Sequence, residues 1–309
     1  MKIPYKKLIQ YTILLLIVAF FIDYLIKHIS DFKKISLINP FWLIPLILLF
    51  LLTYYFIGKQ TQVLLEPLGV KLRDFEAYML SIVTGLYNLV TPAYGGMLIR
   101  AIYLKNKHKF SYTYFFSVLA GMYVMTFFIN SLFGLISLFF IWKIYAIFNT
   151  LILLAFLAVF LPLLTIIIFS PKFKERKNKF LNKFITVING WLIIKNNKKA
   201  ILTCLLATTC TLLISAILSI IAYRVFGISL PFIKALFLAS ISSLLLLVQI
   251  TPGNLGVSKA VAVFSALVLG LTPAQSLPVA ILGRIVQMLV MFTLGPIFSY
   301  ILLKHKPKK

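Results

Sequence analysis

Thr91-Pro92-Ala93-Tyr94-Gly95-Gly96 and Thr251-Pro252-Gly253-Asn254-Leu255-Gly256 lie 160 residues apart, and each interrupts a long apolar run. Proline has no amide hydrogen and cannot continue a helix, while glycine permits positive φ and close backbone approach. Each stretch therefore ends one helix and lets another begin. Helix breakers repeated inside membrane-length segments mark a ligand site near the bilayer midplane. A cation follows each break, Arg100 after the first and Lys259 after the second, and points to an anionic ligand. The alternative is a pair of plain kinks at packing contacts.

Around these breaks the chain is strongly apolar. Of its 309 residues 61% are hydrophobic, and the mean hydropathy is +1.03. Several runs exceed the ~20 apolar residues that a bilayer crossing requires, and the alternating segments of a transmembrane β-barrel are absent. The expected fold is an all-α polytopic membrane protein in one integrated domain. It has about six full transmembrane helices plus two broken or re-entrant helical regions related as an inverted repeat. The spans fall at residues 11–26, 41–57, 112–141, 145–169 and 200–223, with a last helix from Pro273. The interrupted regions cover 77–104 and 233–269, inside repeat halves at about 77–170 and 230–303. Residues 58–76 read as an amphipathic interfacial segment with Lys59, Lys71 and Arg73 facing Glu66, Asp74 and Glu76.

The charge distribution sets the orientation. Residues 171–199 carry nine Lys or Arg against one Glu and mark the cytoplasmic side. Lys2, Lys6 and Lys7 precede an uncleaved first span, and Lys304, Lys306, Lys308 and Lys309 close the chain, so both termini are expected in the cytoplasm of a cell-membrane protein. Even numbers of crossings between these markers make the first interrupted region enter from the cytoplasm and return there. The second enters from outside and returns outside; a full span over residues 233–250 is the other solution. The net charge of +25 lies mostly in loops and termini, with no basic, aromatic-interleaved module for nucleic acid. It fits positive-inside anchoring and attraction to anionic headgroups.

A helix restarting after a break offers free amide hydrogens and a positive dipole end, which suits a phosphate. The candidate phosphate-binding set is Arg100, Lys259, Arg284, Thr91, Thr251 and Asn254, and the breaks are made by Pro92, Gly95, Gly96, Pro252, Gly253 and Gly256. Arg284 lies mid-helix with no acid near it in sequence, at a cost of ~3 kcal/mol on insertion scales, so it must face a cavity or a partner. Arg100 either does the same or snorkels to the interface beside Lys105. The chain has six acidic residues, at positions 23, 31, 66, 74, 76 and 175, so a protein counter-ion is hard to supply. Asp23 reads as the partner of Lys27. His28, His108 and His305 accompany basic loops, and Cys204 and Cys210 occupy different faces of one helix. No metal site, disulfide, hydrolase elbow or nucleotide loop is indicated, and no carboxylate pair stands at the membrane boundary; neither an enzyme nor a cofactor is expected.

The stretch Asn88-Leu89-Val90-Thr91-Pro92-Ala93-Tyr94-Gly95-Gly96-Met97-Leu98-Ile99-Arg100-Ala101 resembles the pattern N-x-x-x-P-G-R-x-G-E-x-x-R-A. Ile250-Thr251-Pro252-Gly253-Asn254-Leu255-Gly256-Val257-Ser258-Lys259 resembles S-P-G-G-x-G-x-R-E, and Leu271-Thr272-Pro273 and the Arg284 helix match as well. Both patterns belong to the flippase-like lysylphosphatidylglycerol synthase transmembrane-region family. The resemblance runs from about Phe41 to Leu303. It implies handling or translocation of phospholipids or polyprenyl-phosphate-linked lipids. In fused members a soluble domain adds an amino acid to phosphatidylglycerol; this chain closes at Lys309 directly after its last helix, so only the flippase half is expected. Tyr94 and Met97 stand where the family has Arg and Glu, and Ser258-Lys259 replaces the second Arg-Glu pair. Those losses speak against carboxylate-coupled transport and for an anionic headgroup.

The resulting expectation is a flippase that moves an anionic lipid through a cationic cavity between the breaks. The alternative is a non-transporting, lipid-binding subunit that recruits a soluble synthase or glycosyltransferase through residues 171–199. A homo-oligomer is compatible with either. A lipid-modifying enzyme is the third possibility, and the missing acids argue against it.

Overall fold

The computed structural model describes residues 39–91, 95–174, 178–244 and 264–304, and among these it contains helices and no strand. Helix α1 spans Leu43–Leu65, with 3-10 turns before it at Pro40–Trp42 and after it at Glu66–Leu68. Then come α2 (Asp74–Val90), α3 (Gly95–His108), α4 (Tyr112–Tyr145) and α5 (Thr150–Ile168). The remainder is α6 (Lys179–Asn196), α7 (Lys198–Val225), α8 (Phe232–Leu244) and α9 (Pro273–Lys304). Among the described residues, five segments are long and apolar enough to cross a membrane: Pro40–Leu68, Tyr112–Tyr145, Thr150–Ile168, Lys198–Val225 and Pro273–Lys304. They answer to five of the expected spans; the one at residues 11–26, with Asp23 and Lys27, lies outside the described residues.

Polar caps set several helix starts. Ser111, Asn149 and Asn197 accept from the amides of Tyr114, Ile152 and Ala200, each satisfying a donor that the helix leaves free. Helix α4 ends where Ala146 turns left-handed at φ 54°, so the next span begins at Thr150 behind its Asn149 cap rather than at residue 145. Residues 58–76 are not a separate interfacial segment. Helix α1 continues to Leu65 because Val63, Leu64 and Leu65 are buried by neighbouring helices, so packing carries it beyond the apolar run. Lys59 does reach Asp74, at 2.9 Å, but Glu76 turns to Lys107 and His108.

Helix α4, 34 residues and therefore about 51 Å long, is the spine that relates the two interrupted regions. Helices α2 and α3 pack together as a hairpin whose open mouth lies beside the start of α4. Glu76 in the first turn of α2 is 2.8 Å from His108, the last residue of α3. The arms are about 25 and 21 Å long, both shorter than the ~30 Å hydrocarbon core, so this region goes in and returns to the side it came from. The second region opens at the other end of α4. Lys234 at the start of α8 sits 4.4 Å from the ring centroid of Tyr145 and donates to the Leu269 carbonyl at 3.0 Å. Its two ends also meet, at the opposite end of the bundle. Residues 245–263 between them, which hold the second break, lie outside the described residues.

Each hairpin is set in its own apolar core. One joins Leu80, Leu86 and Leu104 of the first hairpin to α1, to α9 and to Phe115–Met125 of α4. The other wraps Phe237 of α8 with α5, α7 and the Ile129–Ile141 half of α4. Helix α7 runs antiparallel to α1, joined by Gln60 to Thr211 at 3.3 Å at one end and by the Asn39 amide to the Val225 carbonyl at 3.1 Å at the other. Cys204 and Cys210 are free thiols.

Candidate functional site

The first break is described on both flanks. Thr91 ends α2, its amide and its hydroxyl both bonding the Tyr87 carbonyl, so the hydroxyl proton is committed to its own helix. After Pro92, Ala93 and Tyr94, which lie outside the described residues, α3 restarts at Gly95. Asn88 caps it by accepting from the Gly96 amide at 2.9 Å. One of the amides expected to face a phosphate is therefore occupied by a side chain. The glycines allow the two arms to touch: a Cβ on Gly95 would lie 2.2 Å from the Thr91 hydroxyl oxygen, and one on Gly96 would lie 2.0 Å from the Thr84 carbonyl oxygen.

That closeness places Arg100. Two turns into α3 it is buried, at 2% exposure, rather than extended to the interface beside Lys105. Its Nε donates to the Thr84 hydroxyl of α2 at 3.0 Å and its Nη1 to the Thr61 hydroxyl of α1 at 2.9 Å; the Met122 sulfur of α4 lies 3.7 Å from the same nitrogen. Each threonine gives its own proton to a carbonyl four residues back, Leu80 for Thr84 and Ile57 for Thr61, which leaves oxygen lone pairs for the guanidinium. No described carboxylate pairs with Arg100. A buried cation held by neutral acceptors keeps an unspent demand for negative charge.

Arg284 lies half-buried on α9 and donates to Gln287, one turn on, at 2.9 Å. Gln287 in turn hydrogen-bonds the Tyr54 hydroxyl of α1, which stands within electrostatic reach of both Arg284 and Arg100. The two cations picked out in the sequence are thus brought toward one tyrosine. Lys259, Thr251, Asn254, Pro252, Gly253 and Gly256 lie outside the described residues. Thr61, Thr84, Asn88, Met122, Tyr54 and Gln287 were not among the sequence candidates. Of these, only Asn88 had a local cue, as the first residue of the quoted motif.

At the mouth of the hairpin, Glu76 collects three donors on one carboxylate oxygen: Tyr103 at 2.7 Å, His108 at 2.8 Å and Lys107 at 3.1 Å. Burial raises the Glu76 carboxyl, but the hydrogen bonds from His108, Tyr103 and Lys107 outweigh it and hold it down at about 2. Glu76 in the first turn of α2 thereby meets Lys107 in the last turn of α3, each also favoured by its helix dipole. Among the described residues, no three His, Cys, Asp or Glu side chains gather as a metal site.

Five membrane-length apolar helices among the described residues, with a hairpin interrupted after Thr91, define an all-α polytopic membrane protein. The family model described as the lysylphosphatidylglycerol synthase TM region matches residues 7–295, and the chain belongs to that family. No curated protein and no solved structure matches the chain.

Proposed function

We propose that this protein binds the phosphate-bearing headgroup of an anionic lipid and carries it between leaflets, past the breaks of its two hairpins, while the acyl chains stay in the bilayer. The observation that carries this reading is the convergence of Arg100 and Arg284 toward Tyr54, with Arg100 buried against neutral threonine oxygens. A phosphate supplies a negative charge that the described neighbours of Arg100 do not. Arg284, half-buried, meets the headgroup first, and Arg100 holds the deeper position. Lys259, with Thr251 and Asn254, serves the second break in the same way. The hairpins open at opposite ends, so each leaflet has its own approach to the site.

The end of the bundle bearing Lys59, Lys107, Lys183 and Lys304 faces the cytoplasm, and the end with Lys143, Arg224 and Lys234 faces out. The protein itself is a non-catalytic membrane domain. Purified protein in liposomes should speed the translocation of a labelled anionic lipid, and Arg284→Ala should suppress it. Unchanged rates across phospholipid and polyprenyl-phosphate panels would overturn transport. Saturable headgroup binding without translocation would instead favour the lipid-binding subunit that recruits a soluble synthase or glycosyltransferase.

A further inference from the structure

Residues 171–199 are rich in lysine, yet they are not an open basic arm: they contain the 18-residue helix α6. One side of α6 is seated on the first turns of α4. Trp191 lies over Gly121, where a Cβ would come within 3.2 Å of the indole, and Gly190 abuts Ser117. Ile185 and Ile194 are buried with them. The Lys195 ammonium donates to the Ile168 carbonyl at 3.1 Å, tying α6 to the final turn of α5, and α7 begins two residues after α6 ends. The helix therefore lies at the level where α4, α5 and α7 all leave the apolar layer.

The same apolar face, Phe184 standing two turns before Trp191, runs on uncovered toward the start of the helix. Leu181, Phe184 and Ile188 recur at i, i+3 and i+7 and are exposed, Phe184 at 56%. Phe173, also exposed, is held beside them by two hydrogen bonds to Asn189, at 2.9 and 3.2 Å. Lys172, Lys174 and Lys183 of the same segment are exposed. No described residue of the segment is acidic. An exposed apolar stripe in a lysine-rich segment, at the depth where three spans emerge, matches the boundary between acyl chains and anionic headgroups.

We infer that α6 is an interfacial helix that seats Phe184 and Ile188 in the leaflet at the basic end of the bundle, with its lysines on anionic headgroups. The surface binds lipid rather than a soluble protein, and it does so whatever the transport site carries. Full-length protein with Cys204→Ser and Cys210→Ser and bearing Phe184→Cys, labelled with an environment-sensitive fluorophore, is reconstituted into vesicles of zwitterionic lipid with or without phosphatidylglycerol. Lipids brominated near the headgroup end of the chain should quench the probe about twofold, more strongly when phosphatidylglycerol is present. Adding Lys172→Gln, Lys174→Gln and Lys183→Gln should remove that extra quenching. A probe at Leu151→Cys, on the lipid-exposed start of α5, should be quenched equally in both vesicles and shows that the variants are inserted. An unquenched, water-like signal at residue 184, quenching indifferent to lipid charge, or a signal that shifts only when soluble proteins are added would each overturn the assignment.

Discussion

Gly96→Ala tests the geometry that buries Arg100. A Cβ at Gly96 would stand 2.0 Å from the Thr84 carbonyl oxygen and 2.6 Å from Asn88 Oδ1, against a practical limit of 3.0 Å, so the gap must widen by at least 3.0 − 2.0 = 1.0 Å. The Thr84 oxygen is backbone within α2 and cannot swing aside, so α3 must retreat from α2. Retreat by that distance stretches the 3.0 Å bond from Arg100 to Thr84 and the 2.9 Å bond from the Gly96 amide to Asn88. Overpacking costs about 1–3 kcal/mol, the lost cap about 1, and a weakened bond to a buried cation about 1.5–3. These terms overlap, and the expected total is about 3–5 kcal/mol, a fall of roughly 5–10 °C in melting temperature. Gly283→Ala is the matched control. Nothing lies within 4 Å of a Cβ there, so alanine should be neutral or stabilise by up to about 1 kcal/mol through helix propensity. Thermal unfolding of detergent-purified protein, followed by size-exclusion fluorescence, reads both. If Gly96→Ala melts within about 1 °C of the parent, α3 does not approach α2 as described and the placement of Arg100 fails with it.

Glu76→Gln should destabilise by about 1–3 kcal/mol, because Lys107 loses its counter-charge and Tyr103 a charged acceptor at the hairpin mouth. The carboxyl is held down from 4.5 to about 2, so its stabilisation is complete above the ordinary carboxylate value and disappears as pH falls toward 2. Melting curves from pH 6 to 2 should therefore show parent and variant converging at the acid end; a constant gap refutes the linkage. Gly134→Ala places a Cβ 2.3 Å from the buried Phe156 ring and should cost about 1–3 kcal/mol, part of it recovered by adding Phe156→Leu. A double variant no more stable than the single one would contradict that packing. Arg100→Met removes a buried charge without opening a large cavity. Stability should hold or rise by about 1–4 kcal/mol while lipid translocation is lost, so full transport by a stable Arg100→Met protein would remove Arg100 from the site.

The spans were legible because each is a continuous apolar run longer than a bilayer core needs, and the break at Thr91 was legible because proline and glycine act locally. The surroundings of Arg100 were not. Its partners Thr84, Thr61 and Met122 sit on three different helices, at sequence separations of 16, 39 and 22 residues, and hydroxyls inside helices carry no pattern. The closure of Glu76 on His108 across 32 residues was hidden in the same way, since local charge pairing pointed to Lys59, Lys71 and Arg73. Helix α6 was concealed by its own lysines, whose density outweighed an apolar repeat of Leu181, Phe184 and Ile188. What remained unread in each case was a contact between helices, fixed by packing rather than by neighbours in sequence.

On the proposed function, the partners of Arg100 also set how a headgroup reaches it. The guanidinium is shielded by α1, α2 and α4 at once, so an arriving phosphate must replace a threonine contact rather than fill open space. Replacement is favourable because Thr84 and Thr61 keep their bonds to Leu80 and Ile57 when Arg100 leaves, while the cation exchanges a neutral oxygen for a charged one. The arm carrying Arg100 joins α2 through the glycine-lined break and, at the mouth, through Glu76. Its deep end touches by backbone approach and its shallow end is held by ionic contacts. On the proposed function, motion of α3 against α2 is therefore the step that exposes the cation, with Glu76 as the fixed end of the hinge. Arg284 needs no such motion, since it is half-buried already. Loss of Arg284 should lower headgroup capture from the bilayer, whereas stiffening the break should leave capture intact and slow transfer.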